Sequence, residues 1–530
     1  MFLAPGGRYG NDALDGSRAV RLEVMPDIDS VFFDITTSAQ WRGHPVGIIR
    51  VERELASRAR NHLGDRLSYC VYDKRAGDFK IVKDEYVPGI LAGDINIDFE
   101  ATFHVLTPDN SRRLRKSIRN IAVEIPVFYR ILGRLRGQNI SREEAEALRQ
   151  QMKPHLAAGP HGRKLKTRLR NIALEIPIAY QAAQRLRGRR LSLNQIRLIR
   201  QQYESPGTGP ADISTLPMST ATSSSVALSK RVAIVSGGLD WQHKEIQQIY
   251  RLRKQSKFKF ISVIYDLIPL NLPQYVVPFY VDLLAEYFGE LLWTSDGCLC
   301  ISETTRQDLI EYFDRNGVSP PKARSFPLGS ELRRLDSEVE SPATLINKKY
   351  VLYVSTIEPR KNHRVVYEAW CHALLNGAIN ADECRLVFVG MPGWNTAELL
   401  HEIRANPLTS GTVVIMSNVS DTLLVSLYRN CAFVVFPSFY EGFGLPLAEA
   451  LGYGKVCVTS GAGALREIGD GLRVDLDPRD TLGWAAKMAE LLADPAKISA
   501  LEASIQKEYR SVSWDSSAKV FFGALQEIIA

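Results

Sequence analysis

Lys361 and the pair Glu441 and Glu449 have the side-chain types and surroundings needed to handle a phosphate-bearing ligand. Lys361 follows the apolar run Tyr350–Val354, and Glu441-Gly-Phe-Gly-Leu-Pro-Leu-Ala-Glu449 follows the apolar run Phe433–Phe436. Pro446 suits the first turn of a helix. Free backbone N–H groups at such a helix start attract phosphate. Gly442 and Gly444 leave room for a backbone to approach closely. Glu441 is expected in the loop, facing a cleft, with Glu449 about a turn into the helix. The competing reading makes Lys361 a solvated surface residue and Gly442-x-Gly444 an ordinary turn. Neither Gly442-x-Gly444 nor Gly461-Ala-Gly463 completes a dinucleotide fingerprint, because Leu447 and Arg466 stand where the third glycine belongs. Asp475-Leu-Asp477 and Asp27-Ile-Asp29 read as turns, and the histidines show no pair at zinc spacing. No metal is called for.

The elements that must position these residues follow an α/β rhythm. Strands are expected at Val31–Ile35, Val232–Val235, Phe260–Tyr265, Cys298–Ile301 and Ser325–Leu328. A second series runs through Tyr350–Val354, Arg385–Val389, Thr412–Ile415, Phe433–Phe436 and Val456–Thr459. Continuous apolar runs of this kind belong to parallel strands buried on both faces. Gly47 opens a helix on which Ile48, Val51 and Leu55 share a face. Two doubly wound domains are expected to bind ligand beyond the carboxyl ends of their strands. The expected divisions are a disordered extension over 1–27, an N-terminal domain over 28–335, a C-terminal domain over 336–512, and a final helix over 513–530 returning to the first domain. Pro206 to Ser225 is rich in Pro, Gly, Ser and Thr, so 204–228 is expected to be a flexible linker.

A chain of 530 residues is too long for one ordinary core. The net charge of +7 conceals a strong asymmetry. Between Ser111 and Tyr203 there are 22 Lys/Arg against 5 Glu, a net of +17, so the remainder carries 7 − 17 = −10. Within that segment Arg119-Asn-Ile-Ala-Val-Glu-Ile-Pro126 recurs as Arg170-Asn-Ile-Ala-Leu-Glu-Ile-Pro177, and Arg134–Gly137 recurs as Arg185–Gly188. Both repeats have the same offset, so one duplication explains them. The insertion 111–203 reads either as a solvated helical element or as an amphipathic surface for anionic lipid. Nucleic-acid binding is disfavoured by the scarcity of aromatics and the lack of a groove-reading motif. The first 16 residues show no signal-peptide pattern. The apolar stretch Ile261 to Leu284 is broken by two aspartates and three prolines, so it does not read as a membrane span. Seven scattered cysteines in strand-like surroundings read as reduced core thiols, which fits a cytoplasmic chain, peripheral to the membrane if the insertion binds lipid.

The block Glu441–Ala450, with its Glu-x7-Glu spacing, resembles the signature of retaining glycosyltransferase family 4, the glycosyl transferases group 1 with the GT-B fold. Tyr353-Val-Ser-Thr-Ile-Glu-Pro-Arg-Lys-Asn-His363 is similar to that family's diphosphate-binding loop. Tyr265–Pro269, Cys300–Thr304, Pro327–Gly329, Gly390–Trp394, Gly463–Glu467 and Ser513-Trp514 also match. Ser355 and Tyr265 stand where members often have Gly and His. The resemblance covers about 31–60 and 230–525. It implies two Rossmann-like domains facing across a cleft, with a basic insertion in the first. It implies that Lys361, assisted by Arg360, neutralises a nucleotide diphosphate, and that Glu441 faces the transferred sugar. Thr356 and the backbone of Gly442, Phe443, Gly444 and Leu445 would contact the donor, and Glu449 the ribose hydroxyls. Gly43, Gly47 and Asp266 would line the acceptor side. The Glu-Pro-Arg-Lys-Asn loop resembles bacterial polysaccharide mannosyltransferases. The first expectation for the donor is therefore GDP-mannose, with a UDP-sugar as the alternative and no cofactor required. A saccharide or lipid-linked saccharide is the expected acceptor. A soluble glucan synthase or phosphorylase, and a non-catalytic carbohydrate- or nucleotide-binding scaffold, remain as rival readings.

Overall fold

A computed structural model describes residues 28–42, 47–99, 213–331, 342 and 345–530. The extension 1–27, Gly43 and the basic insertion 111–203 lie outside the described residues.

The N-terminal half is built on an eight-stranded sheet with order β10-β9-β8-β7-β1-β2-β3-β6. Its strands are β1 (Ser30–Asp34), β2 (Leu67–Asp73), β3 (Asp78–Val82), β6 (Thr222–Ser225), β7 (Val232–Ser236), β8 (Lys259–Ile264), β9 (Gly297–Cys300) and β10 (Lys322–Ser325). From β10 to β2 every pairing is parallel, whereas β3 joins antiparallel to β2 and to β6. A small parallel pair, β4 (Ile95–Asp98) and β5 (Ser214–Pro217), stands apart. The second half carries a six-stranded parallel sheet with order β13-β12-β11-β14-β15-β16. Its members are β11 (Lys349–Val354), β12 (Cys384–Val389), β13 (Val413–Met416), β14 (Phe433–Phe436), β15 (Cys457–Thr459) and β16 (Val474–Asp475).

Strands flanked by helices on both faces must be apolar throughout. The side chains of Val351, Leu352 and Tyr353 and of Phe433 to Phe436 are accordingly fully buried. Two expectations need correction. Ser214–Pro217 and Thr222–Ser225, placed by composition in a linker, are strands β5 and β6. Both are mostly polar and exposed, apart from the buried Thr222 and the half-buried Leu216, and β6 ends the sheet as an edge. The strand expected at Ser325–Leu328 lies three residues earlier, at β10. Phe326 and Leu328 are apolar because they are buried in the loop after the strand.

The helix Trp514–Ile529 packs on the N-terminal sheet rather than on the half that precedes it in sequence. Phe521 meets Phe326 edge-to-face at 5.0 Å and Phe33 at 6.3 Å. Gly297 admits the helix closely, since a Cβ there would fall 2.1 Å from a methyl of Ile528. The two halves are therefore joined by a chain segment that leaves one core and returns to the other. Phe521→Ala should open a void under β1 and β10 and cost about 3–5 kcal/mol. The drop in the denaturant midpoint measures it.

Candidate active site

The site forms where the carboxyl ends of the two sheets face each other. From β11 the chain enters a loop that ends in the single turn Pro359–Lys361, after which Asn362 adopts a left-handed conformation, φ 58°, to start the helix His363–Leu375. From β14 the chain runs through Pro437 to Glu441 into the helix Leu445–Gly452. The two loops are tied by backbone and side chain. Phe439 N–H donates to the Arg360 carbonyl at 2.9 Å, and Asn362 Nδ2 donates to the Pro437 and Pro478 carbonyls.

These ties bring Lys361 and Glu441 together. The Lys361 ammonium donates to Glu441 Oε1 at 2.6 Å and lies 5.3 Å from the centre of the Phe436 ring. Arg360 reaches the same oxygen at 3.1 Å, the Glu358 carboxylate at 2.8 Å and the Tyr440 carbonyl at 2.6 Å. Burial alone would raise the Glu441 carboxyl. Arg360 and Lys361 outweigh it and hold the group down at about 2. Burial pushes the Lys361 ammonium below its ordinary value against the pull of Glu441. Burial also raises Glu358 and Asp266, opposed in each case by Arg360.

Gly444 caps the helix at φ 112°, in the left-handed region. No side chain caps that end, Pro446 has no N–H, and the Leu447 and Ala448 amides donate to the Gly444 carbonyl at 3.0 and 3.2 Å, so in this turn the Leu445 amide alone stands outside those bonds. Gly442 sits against the other half of the molecule. A Cβ there would meet the Tyr265 carbonyl at 2.4 Å and the Asp266 Cβ at 2.8 Å. Its own carbonyl accepts from Ser302 Oγ at 2.6 Å and Thr305 Oγ1 at 3.2 Å. Glu467 accepts from the Glu303 and Thr304 amides, at 2.9 and 2.6 Å, at the start of the helix Glu303–Arg315. Phe443 packs against the cores of both halves.

Not every expected residue joins this centre. Thr356 is exposed at the end of β11 and lies over Gly393. Leu445 turns its side chain to the N-terminal core. Gly47 is the exposed cap of the helix Ile48–Leu63, and its partner in expectation, Gly43, lies outside the described residues. Asp266 is brought beside Gly442 and accepts from the Ile268 amide at 3.1 Å. Glu449 is buried in the second turn of its helix, 5% exposed, with Tyr428 Oη donating to Oε2 at 3.1 Å and Arg50 Nη1 to Oε1 at 3.0 Å. The sequence reading missed Arg50 and Tyr428. Arg50 follows the Gly47 cap by three residues, and that position in the first turn was the one available hint. Among the described residues, no cluster of His, Cys, Asp or Glu could hold a metal, and no helix is long and apolar enough to cross a membrane.

Two doubly wound halves docked carboxyl end to carboxyl end, with a final helix crossing back, make up the GT-B fold. Residues 348–494 match the family model described as Glycosyl transferases group 1, so the C-terminal half carries a domain of that kind. The chain is 29% identical over 214 residues to the serotype-specific mannosyltransferase WbdA of Escherichia coli, which takes in 36% of this chain and 24% of that protein. It is 25% identical over 259 residues to O-antigen chain mannosyltransferase B of Escherichia coli, 48% of this chain and 67% of that one. With a D-inositol 3-phosphate glycosyltransferase of Salinispora tropica it shares 27% over 252 residues, 44% and 52% of the two chains. The chain spans about a quarter of the length of the WbdA proteins it matches. Among solved structures, Anabaena Alr3699/HepE in complex with UDP and glucose aligns at a TM-score of 0.44 and 14% identity, over 56% of this chain and 78% of that one.

Glu441 ionised is favoured in the fold, so its contribution is complete above its ordinary value of 4.5 and fades as pH falls toward 2. Glu441→Gln leaves two buried cations short of a partner and should cost about 3–5 kcal/mol at pH 6. The gap between variant and wild type should narrow at pH 3. Urea midpoints at both pH values check it, and an unchanged gap contradicts the assigned ion pair.

Proposed function

We propose that this chain is a retaining glycosyltransferase of family 4 that moves a sugar from a nucleotide diphosphate to an acceptor held across the cleft. The observation that carries the reading is the meeting of Lys361 and Arg360 on Glu441, three residues before the Gly444 cap of the helix Leu445–Gly452. Cleavage of the glycosidic bond leaves charge on a departing diphosphate. Fixed cations and amides aimed at that charge lower the barrier. A diphosphate offers Lys361 a stronger partner than one carboxylate oxygen, whereas Arg360 stays anchored by Glu358 and the Tyr440 carbonyl. Glu441, relieved of Lys361 and held by Arg360 alone, then faces the sugar. In this reading Gly442 to Leu445 supply the phosphate-binding backbone, Glu449 binds the ribose, and Asp266 and Gly47 border the acceptor. Thr356 lines the donor side from the end of β11.

The relatives named as mannosyltransferases support mannose as the sugar and GDP-mannose as the donor, with a saccharide or lipid-linked saccharide of a cell-surface polysaccharide as the acceptor. The +17 segment 111–203 supports a position against the anionic inner face of the cytoplasmic membrane. Flotation of the full chain and of a 111–203 deletion with anionic liposomes tests that placement, and equal flotation refutes it.

Lys361→Ala should lower the turnover of the donor by about 10²- to 10³-fold, the usual consequence of removing one donor aimed at developing charge. Sugar transfer from GDP-mannose and from UDP-sugars, measured for wild type and variant, checks this. Thermal-shift titration with GDP and UDP identifies the base, since a ligand at 100 times its Kd stabilises the fold by about 2.7 kcal/mol. Unchanged transfer by Lys361→Ala would remove the residue from the mechanism.

A further inference from the structure

Arg50 lies in the N-terminal half, 399 positions from Glu449, yet it is the cation bonded to that carboxylate. Three segments fix its guanidinium. Nη1 donates to Glu449 Oε1, Nη2 donates to the Glu331 carbonyl, and the plane lies 5.5 Å from the Trp514 ring centre. Both partners are well enclosed, with side-chain exposures of 15% and 6%. Resting on the donor reading above, we propose that Arg50 is a positioning residue: it holds Glu449 charged and aimed at the ribose hydroxyls of a nucleoside diphosphate. Ribose recognition by the C-terminal half then depends on the N-terminal half being docked.

The hydrogen-bonding capacity of the carboxylate suffices for this. An ionised carboxylate has roughly four lone-pair positions. Arg50 takes one on Oε1 and Tyr428 one on Oε2. The two that remain can accept both hydroxyls of a ribose diol. The local charges set what happens without Arg50. Burial drives Glu449 toward the neutral acid, and Asp421 adds to that. Arg50 and the Tyr428 hydroxyl oppose it, and Arg50 is the only cation of the two. Deprived of Arg50, Glu449 tends to hold a proton, and a neutral carboxyl accepts from a diol more weakly than a carboxylate does. A lysine at position 50 would restore the charge. It lacks the fork that reaches Glu449 and the Glu331 carbonyl together.

The test uses calorimetric titration of the full chain with GDP, UDP and their 2′,3′-dideoxy counterparts. Wild type should prefer the ribo form of its nucleotide by about 10- to 100-fold, the range for hydrogen bonds to a charged group. Arg50→Ala should lose most of that preference while its affinity for the dideoxy form stays unchanged. The preference should return as pH rises, because Glu449 re-ionises. Arg50→Lys keeps the buried carboxylate partnered, guards against misfolding, and should fall between the two. Glu449→Gln should abolish the preference whichever residue stands at 50. A wild-type ribo preference retained in both Arg50 variants overturns the inference and leaves the donor reading standing. A wild type that binds a nucleotide without ribo preference overturns the role given to Glu449, and the inference with it. A wild type that binds neither diphosphate overturns the donor reading itself.

Discussion

A buried cluster of opposite charges at a junction between two sheets can persist only if its members are held within bonding distance of one another. Arg360, Lys361, Glu358 and Glu441 form such a cluster, and every other feature of the cleft follows from keeping it closed. β11 and β14 are neighbours in the sheet, so the loops that leave them start side by side. The Phe439–Arg360 backbone bond and the two bonds from Asn362 keep them there. Gly442 then allows the Glu441 loop to press directly onto the Tyr265 carbonyl of the other half. A side chain at 442 would separate the halves and expose the cluster to water.

The same closeness explains why the charges are balanced internally. Each cation has a carboxylate, so no charge in the cluster is left isolated. The balance is uneven in a useful way. Arg360 has three partners, one of them a backbone carbonyl, whereas Lys361 rests on Glu441 and the face of Phe436. An incoming anion therefore meets one cation held rigidly and one that can change partner. Preorganisation and exchange are divided between adjacent residues in the sequence.

The C-terminal half was largely legible in the sequence. Strands buried on both faces must be apolar without interruption, so β11, β12, β14 and β15 stand out within a residue or two of their ends. Glu441, Glu449 and Lys361 lie next to such strands and could be placed with them. What could not be read depends on distant pairing or on polarity. β6 is Thr-Ser-Ser-Ser because it is an edge, and composition cannot tell such an edge from a linker. β4 and β5 pair across more than a hundred residues, and no local pattern announces that. At β10 the apolar residues Phe326 and Leu328 mark the contact with the helix Trp514–Ile529 rather than the strand itself. Arg50 was invisible for the same reason as β5, since its meaning lies in a partner 399 positions away.

The final helix gives this long-range contact its stability. Trp514 begins it directly after the Ser513 cap and lies under the Arg50 guanidinium. A Cβ at Gly329 would be 2.5 Å from the Trp514 ring, and Ser330 N–H donates to the Val512 carbonyl at 3.0 Å. The return of the chain to the N-terminal core thus delivers Trp514 to the segment carrying Glu331, whose carbonyl accepts from Arg50. Arg50, Trp514 and Glu449 come from the helix Ile48–Leu63, the helix Trp514–Ile529 and the helix that follows the Glu441 loop. Their contact is a single point at which the relative placement of the two halves is expressed in the orientation of one carboxylate. Rotation of one half against the other would separate Arg50 from Glu449 before it disturbed Lys361 and Glu441, because that pair lies entirely within the C-terminal half. The Lys361–Glu441 ion pair therefore lies within one half, whereas the Arg50–Glu449 pair joins the two.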